Sequence, residues 1–142
     1  MKKLNSTEQL SVSRQFSTLL QAGLPLLDTV SLMHMNDVAN HLKRGQSLSS
    51  SFEKLGFDVF CVGLIKTGEM SGALAKSFIQ IETYLNKKIQ INRKIKKNLL
   101  SFAEYLLEEN NQQHNKKKIH KFNNKSKIIN LFENDTLLMS LL

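Results

Sequence analysis

Tryptophan is absent from this chain of 142 residues, and cysteine and proline occur once each. A single thiol, Cys61, excludes an intramolecular disulfide and a thiolate metal cluster. Its place in the apolar run Val59-Phe60-Cys61-Val62 reads as a buried thiol in a reducing compartment. Long apolar runs are missing too: none approaches the roughly 20 consecutive residues that a membrane-spanning helix needs. Met1-Lys2-Lys3 is followed by no apolar stretch, so a signal peptide is not expected, and the chain alone reads as soluble or peripheral. Acidic residues are the scarcer charge, 12 against 20 basic, and the formal charge of +8 suits anionic lipid, nucleic acid, an acidic partner or plain solubility. Neither a phosphate-binding P-loop nor G-x-G-x-x-G occurs, which leaves nucleotide binding without support.

Helical punctuation is what the sequence does have. Ser6-Thr7-Glu8-Gln9 has the form of a capping box, with Ser6 as N-cap and Gln9 reaching back to it. Val12, Phe16, Leu19 and Leu20 then make one apolar stripe, Gly23 is the stop, and Pro25 opens the next helix. Leu26, Leu27, Val30 and Met33 continue at helical spacing, followed more weakly by Val38 and Leu42, with Asn36-Asp37 as a possible interruption. Gly45 ends this region, Ser47 caps a helix carrying Leu48, Phe52 and Leu55, and Gly56 ends that one. Asp58 caps a further helix through Phe60 and Ile65. After Gly72 the longest pattern runs from Leu74 through Phe78, Ile81, Leu85, Ile89, Ile95, Leu99, Phe102 and Leu106 without a breaker. These patterns predict an all-α fold: an antiparallel bundle of short helices with one long C-terminal helix. Residues 1–109 form the helical domain, and 110–142 a Lys/Asn-rich, disordered basic tail whose last stretch, "IINLFENDTLLMSLL", can make one short helix.

No chemistry assembles from these residues. Gly68-Glu69-Met70-Ser71-Gly72 is not a nucleophile elbow, because serine is fourth where it must be central and the residues before it are helical. His34 and His41 are seven apart, about 10 Å along a helix, too far for one metal; His34 with Asp37 supplies only two ligands. Both histidines read as solvent-facing, and no catalytic residue, metal or cofactor is expected. "NKKIQINRKIKKN" sets cations beside Ile89, Ile91 and Ile95, which fits contact with anionic lipid or phosphate and equally a solvated helix face. In the tail Phe122 is the lone aromatic, so a stacking platform for single strands is unsupported.

Four short motifs in order resemble a known family. Arg14 and Gln15, then Ala22, Gly23 and Pro25, then Gly45, Ser47, Leu48 and Ser49, then Gly68, Glu69, Ser71, Gly72 and Leu74 match the F-x-R-Q-L, AG-x-P, G-x-S-L-S and G-E-x-S-G-x-L pattern. Over about residues 12 to 97 the chain is similar to the cytoplasmic domain of the type II secretion system F protein family, also found in type IV pilus and competence systems. The resemblance implies a non-enzymatic, homo-oligomerising platform at the cytoplasmic face of the bacterial inner membrane. Its implied partners are the assembly ATPase and other inner-membrane platform components, not a small-molecule substrate. On this reading Gly68 and Gly72 form a sharp corner, Ser71 caps the helix after it, and Glu69 binds a neighbouring helix N-terminus or an arginine such as Arg14.

The sequence departs from the family pattern twice. The region between the AG-x-P and G-x-S-L-S steps is short, and after Lys97 there is neither the tyrosine-proline pair nor the span that family members have. A truncation or frameshift accounts for this, as does a free-standing single-domain relative. From another class of function, +8 and two cationic segments raise a small basic nucleic-acid-binding protein as the alternative, though no recognised binding fold accompanies the charge.

Overall fold

A computed structural model describes residues 3–109; the expected tail and its short terminal helix lie outside them. Six helices follow in order: α1 (Ser6–Gln21), α2 (Leu26–Leu32), α3 (Asn36–Lys43), α4 (Leu48–Lys54), α5 (Val59–Ser71) and α6 (Leu74–Glu109). The expected all-α bundle of short helices closed by one long helix is what forms. It falls into two compact units, Met1–Ile89 and Gln90–Leu142, with α6 contributing to both.

The capping box of α1 is shifted by one residue from its expected place. Asn5, not Ser6, is the N-cap: its side chain accepts from the Glu8 amide at 2.9 Å, and Glu8 accepts from the Asn5 amide at 2.9 Å. Asparagine caps as well as serine, and a carboxylate in the first turn also meets the positive end of the helix dipole, so Glu8 replaces Gln9 as the returning partner. Gln9 is thereby released to the interior. Pro25 likewise stands one place earlier than expected, as the residue before α2 with φ −58° and ψ 151°.

The corners share one construction. Residues 23, 34, 45 and 56 have φ of 84°, 55°, 80° and 79°, so a left-handed residue recurs every eleven positions. In each case the next amide reaches back five residues: Leu24 to Leu19, Met35 to Val30, Gln46 to His41 and Phe57 to Phe52, at 3.0–3.2 Å. This double turn satisfies carbonyls that a helix end would orphan, and an apolar contact commonly accompanies it. The Phe52 and Phe57 rings, 4.6 Å apart, make that contact. The interruption expected at Asn36-Asp37 thus falls just before it, at Met33–Met35, and Asn36 begins α3.

Glycine occupies three of these four positions and His34 the fourth. An L side chain in left-handed backbone costs about 1–2 kcal/mol. His34→Gly is therefore expected to stabilise the domain by about 1 kcal/mol net of the added chain entropy, read as a raised urea midpoint.

Four phenylalanines organise the core of the first unit. Phe16 of α1 stacks on Phe78 of α6 at 4.7 Å, and Phe52 of α4 meets both edge-on at 5.2 and 5.7 Å. Val30, Leu48, Ile65, Ile81 and Leu85 complete a fully buried set drawn from α2, α4, α5 and α6. Burial of such side chains contributes roughly 1.5–3 kcal/mol each. Phe60, in the first turn of α5, is 54% exposed.

Candidate functional site

Motif residues gather where α4, α5 and α6 meet, in a geometry that differs from the expected corner. Gly68 is an interior residue of α5 and has no positive φ; only Gly72, at φ 72°, turns the chain. Gly68 is needed for approach. A Cβ there would lie 2.2 Å from Ser77 Oγ, 2.9 Å from Ser77 Cβ and 3.2 Å from Leu74 Cα, so the missing side chain lets α5 and α6 touch. Ser71 does not cap α6. Its hydroxyl donates to the Thr67 carbonyl at 2.9 Å within α5, and Ser71 is exposed. Leu74 opens α6 and packs, partly buried, against the core.

Glu69 joins two motifs that lie twenty residues apart in the chain. Its Oε1 accepts from the Ser49 amide at 2.5 Å, in the first turn of α4. Ser47 caps that helix by accepting from the Ser50 amide at 3.2 Å, and Ser49 Oγ donates to Ser47 Oγ at 3.1 Å. Gly45 ends α3 and Leu48 is fully buried, so the G-x-S-L-S segment supplies a turn, a cap and a core residue. Of the two partners expected for Glu69, the helix N-terminus is the one present. Arg14 points elsewhere, its Nε 3.9 Å from Glu82 Oε2 and a guanidinium nitrogen donating to Asn86 Oδ1 at 3.3 Å. Gln15 is exposed and donates to Ser11 Oγ at 3.5 Å. Gly23 and Pro25 stay at the α1–α2 corner, so the structure brings together the second pair of motifs and leaves the first pair apart from it.

A carboxylate accepting an amide at a helix start contributes about 1–2 kcal/mol. Glu69→Ala should lower the melting temperature by several degrees at neutral pH, whereas Arg14→Ala, at an exposed contact, should leave it within about a degree. Thermal denaturation of the two variants side by side tests the assignment.

A second polar centre surrounds Asp58, and its members are not grouped by spacing in the sequence. Asp58 caps α5 as expected, Oδ1 accepting from the Phe60 amide at 2.9 Å. Its Oδ2 accepts from Lys88 Nζ at 2.6 Å and from the Tyr84 hydroxyl at 3.1 Å. The buried Gln9 supports it from the other side: its Oε1 accepts from the Asp58 amide at 3.0 Å and its Nε2 donates to the Leu4 carbonyl at 2.7 Å. Burial works to raise the Asp58 pKa, but the hydrogen bond from Lys88, the Phe60 amide, the Lys88 charge and the Tyr84 hydroxyl outweigh it and hold the carboxyl below its ordinary value. Burial, reinforced by the Asp58 charge, pushes the Cys61 thiol up to about 12 and the Tyr84 phenol up to about 12. Cys61 therefore stays a thiol at neutral pH and has no nucleophilic character there. The available signal was the i, i+4 pair Tyr84 and Lys88, which shares one face of α6.

The outward face of α5 is the remaining feature. Val59, Gly63, Thr67 and Met70 step by four, four and three, all exposed, with Val59 at 87% and Met70 at 82%. A Cβ on Gly63 would meet no atom within 4 Å. His34 is exposed, and His41 lies 3.3 Å from Ser51 Oγ through Nδ1. Among the described residues no three His, Cys, Asp or Glu side chains are grouped to hold a metal, and no helix is long and apolar enough to cross a membrane.

Comparison with known proteins agrees with the family resemblance. The family described as Type II secretion system (T2SS), protein F, matches residues 12–107. Type IV pilus assembly protein TapC of Aeromonas hydrophila is 31% identical over 61% of this chain and 24% of its own length. Type 4 fimbrial assembly protein PilC of Pseudomonas putida is 29% identical over 70% of this chain and 28% of its own. Type IV pilus assembly protein PilC of Pseudomonas aeruginosa is 29% identical over 68% and 29%. No solved structure matches the chain. The chain spans 24% to 29% of the length of these relatives, and over that span it belongs to the type II secretion system protein F family.

Proposed function

We propose that this domain is a non-enzymatic assembly platform of a type II secretion, type IV pilus or competence system. It works through protein contacts with the assembly ATPase and with a second copy of itself, at the cytoplasmic face of the cell membrane. Family membership supports the setting, and the names of its relatives speak of pilus assembly. The observation that carries the contact reading is the division of labour on α5. Gly68 and Glu69 face inward and hold helices together, while Val59, Gly63, Thr67 and Met70 turn an apolar, low-relief stripe to solvent. Such a stripe suits a partner helix, because small residues let backbones approach and the flanking Val59 and Met70 supply apolar area.

The test is binding of the purified full chain to the assembly ATPase of the same organism, by calorimetry, and to itself, by sedimentation equilibrium. Val59→Asp with Met70→Asp is expected to weaken one of these contacts at least tenfold while leaving helix content unchanged. Unchanged binding would remove α5 from the contact; absence of both interactions in the unaltered chain would overturn the platform reading. Steeply salt-dependent binding of duplex DNA in place of either would favour the basic nucleic-acid-binding alternative.

A further inference from the structure

Two helices of the first unit carry outer faces that are both apolar and opposite in charge. There α2 packs on α3, α3 on α4 and α4 on α5, so α2 and α5 begin and end one run of helices. The exposed stripe of α5 contains a single charge. At about 100° per residue Lys66 falls beside Val59 and Met70 and close to Gly63, and it is exposed. Glu69, the other charged residue of α5, is turned off the stripe to the Ser49 amide, and the capping Asp58 is engaged by Lys88. On α2 the exposed residues are Leu27, Asp28, Ser31 and Leu32, with Leu27 at 38% and Leu32 at 59%. The same arithmetic places Ser31 and Asp28 between the two leucines, and Asp28 is the only charged residue of α2. Neither Asp28 nor Lys66 forms an ion pair among the described residues.

We propose that the outer face of α5 docks on the outer face of α2 in a second copy of this chain, with Lys66 of one copy against Asp28 of the next. Charge complementarity selects this pairing over the two-fold alternatives. A stripe of α5 centred on its own counterpart brings Lys66 against Lys66, and α2 on α2 does the same for Asp28, whereas α5 on α2 sets opposite charges together. The shapes fit as well. The ridge of α2 is two turns long, about 10 Å, and Val59 and Met70 are about 16 Å apart along α5. The ridge therefore seats between them over Gly63, where a Cβ would meet no atom within 4 Å. Leu27 and Leu32 then flank the ion pair and keep water from it. Because the two faces differ, the contact is head-to-tail and closes a ring or extends an array according to the rotation at each step. This pairing rests on the self-contact in the platform reading, to which it adds the second face, and does not require the ATPase contact.

Sedimentation equilibrium of the full chain reads the contact. The unaltered chain is expected to self-associate, less strongly as salt rises. Lys66→Glu and Asp28→Lys, each alone, should weaken association about tenfold or more, because each sets like charges face to face. Mixed in equal amounts, the two variants should associate again one to one, since the reversed pair and the unaltered pair both form between them. The double variant should self-associate within about threefold of the unaltered chain. Such recovery also shows that both single variants are folded. The pairing is overturned if the unaltered chain stays monomeric, if Asp28→Lys self-associates like the unaltered chain, as a two-fold α5 contact requires, or if the mixture or the double variant fails to recover. Calorimetry with the assembly ATPase separates the two readings. ATPase binding without self-association sinks the pairing and leaves the platform contact standing, whereas self-association with this charge pattern in a chain that binds no ATPase sinks the ATPase contact alone.

Discussion

Gly68→Ala is expected to destabilise the domain by about 2 kcal/mol, although helix propensity alone predicts the opposite. Inside a helix, alanine is better than glycine by about 1 kcal/mol, and Gly68 is inside α5. Against that gain stands the contact with α6, where a methyl group would sit 2.9 Å from Ser77 Cβ and 3.2 Å from Leu74 Cα. The Ser77 hydroxyl, 2.2 Å away, can rotate; the Cβ and the backbone cannot move without displacing α6. Overpacking of this kind costs about 1–3 kcal/mol, and the absence of a flexible neighbour puts this site at the upper end. Gly63, on the open side of the same helix with nothing within 4 Å, is the control: Gly63→Ala should raise stability by up to about 1 kcal/mol. Urea unfolding of the two variants should therefore move in opposite directions. Ser77→Ala should restore little of the Gly68→Ala loss, because the clashing Cβ remains, whereas Ser77→Gly should restore more. Destabilisation of equal size at both glycines would mean that α5 is limited by backbone entropy and not by its packing on α6.

The same pair of glycines shows how far the sequence could be read. Glycine and serine at regular intervals announced where helices stop and start, because left-handed turns and N-caps are local chemistry that one sequence displays. The stops at Gly23, Gly45 and Gly56 and the caps at Ser47 and Asp58 were legible for that reason. His34 is not legible in this way, since histidine in a left-handed position has no compositional signature, and the break before α3 falls at Met33–Met35 and not at Asn36-Asp37. Gly68 resembles a turn residue in sequence because Gly72 stands four residues on in the same motif; only the position of Ser77, nine residues on across the corner, separates the two roles. Glu69 was expected either at a helix N-terminus or on an arginine, and the choice depended on where α1 lies, which periodicity does not encode. Spacing places Lys88 on one face of α6 with Tyr84, but it names neither Lys88 nor Gln9 as a partner of Asp58, which they meet from 30 and 49 residues away. Long-range polar contacts of this kind leave no trace in spacing.

Asp58→Ala should cost about 3 kcal/mol at pH 7, and its acid dependence should separate the cap from the ion pair. Loss of an N-cap contributes about 1 kcal/mol. Removing one partner of a largely buried pair adds more, because Lys88, whose side chain is 17% exposed, would lose the carboxylate 2.6 Å away. Asp58→Asn keeps an oxygen for the Phe60 amide and loses only the charge, so about half of the loss should remain. The carboxyl is held below its ordinary value in the folded protein, and its unfolded value is near 3.8. The unfolded chain therefore takes up a proton first as the pH falls. The contribution of Asp58 is complete above about pH 5 and is lost as the pH drops through 3.8 and then through the lower folded value. Thermal melts at pH 7 and pH 3 should show the unaltered protein losing more stability between the two than Asp58→Asn does. If the two proteins follow parallel acid profiles, the Lys88 contact contributes nothing to the folded state and Asp58 acts as a helix cap alone. A flatter profile for Asp58→Asn, with Lys88→Met reproducing it, would tie the start of α5 to the last turns of α6 within the first unit through this one carboxylate.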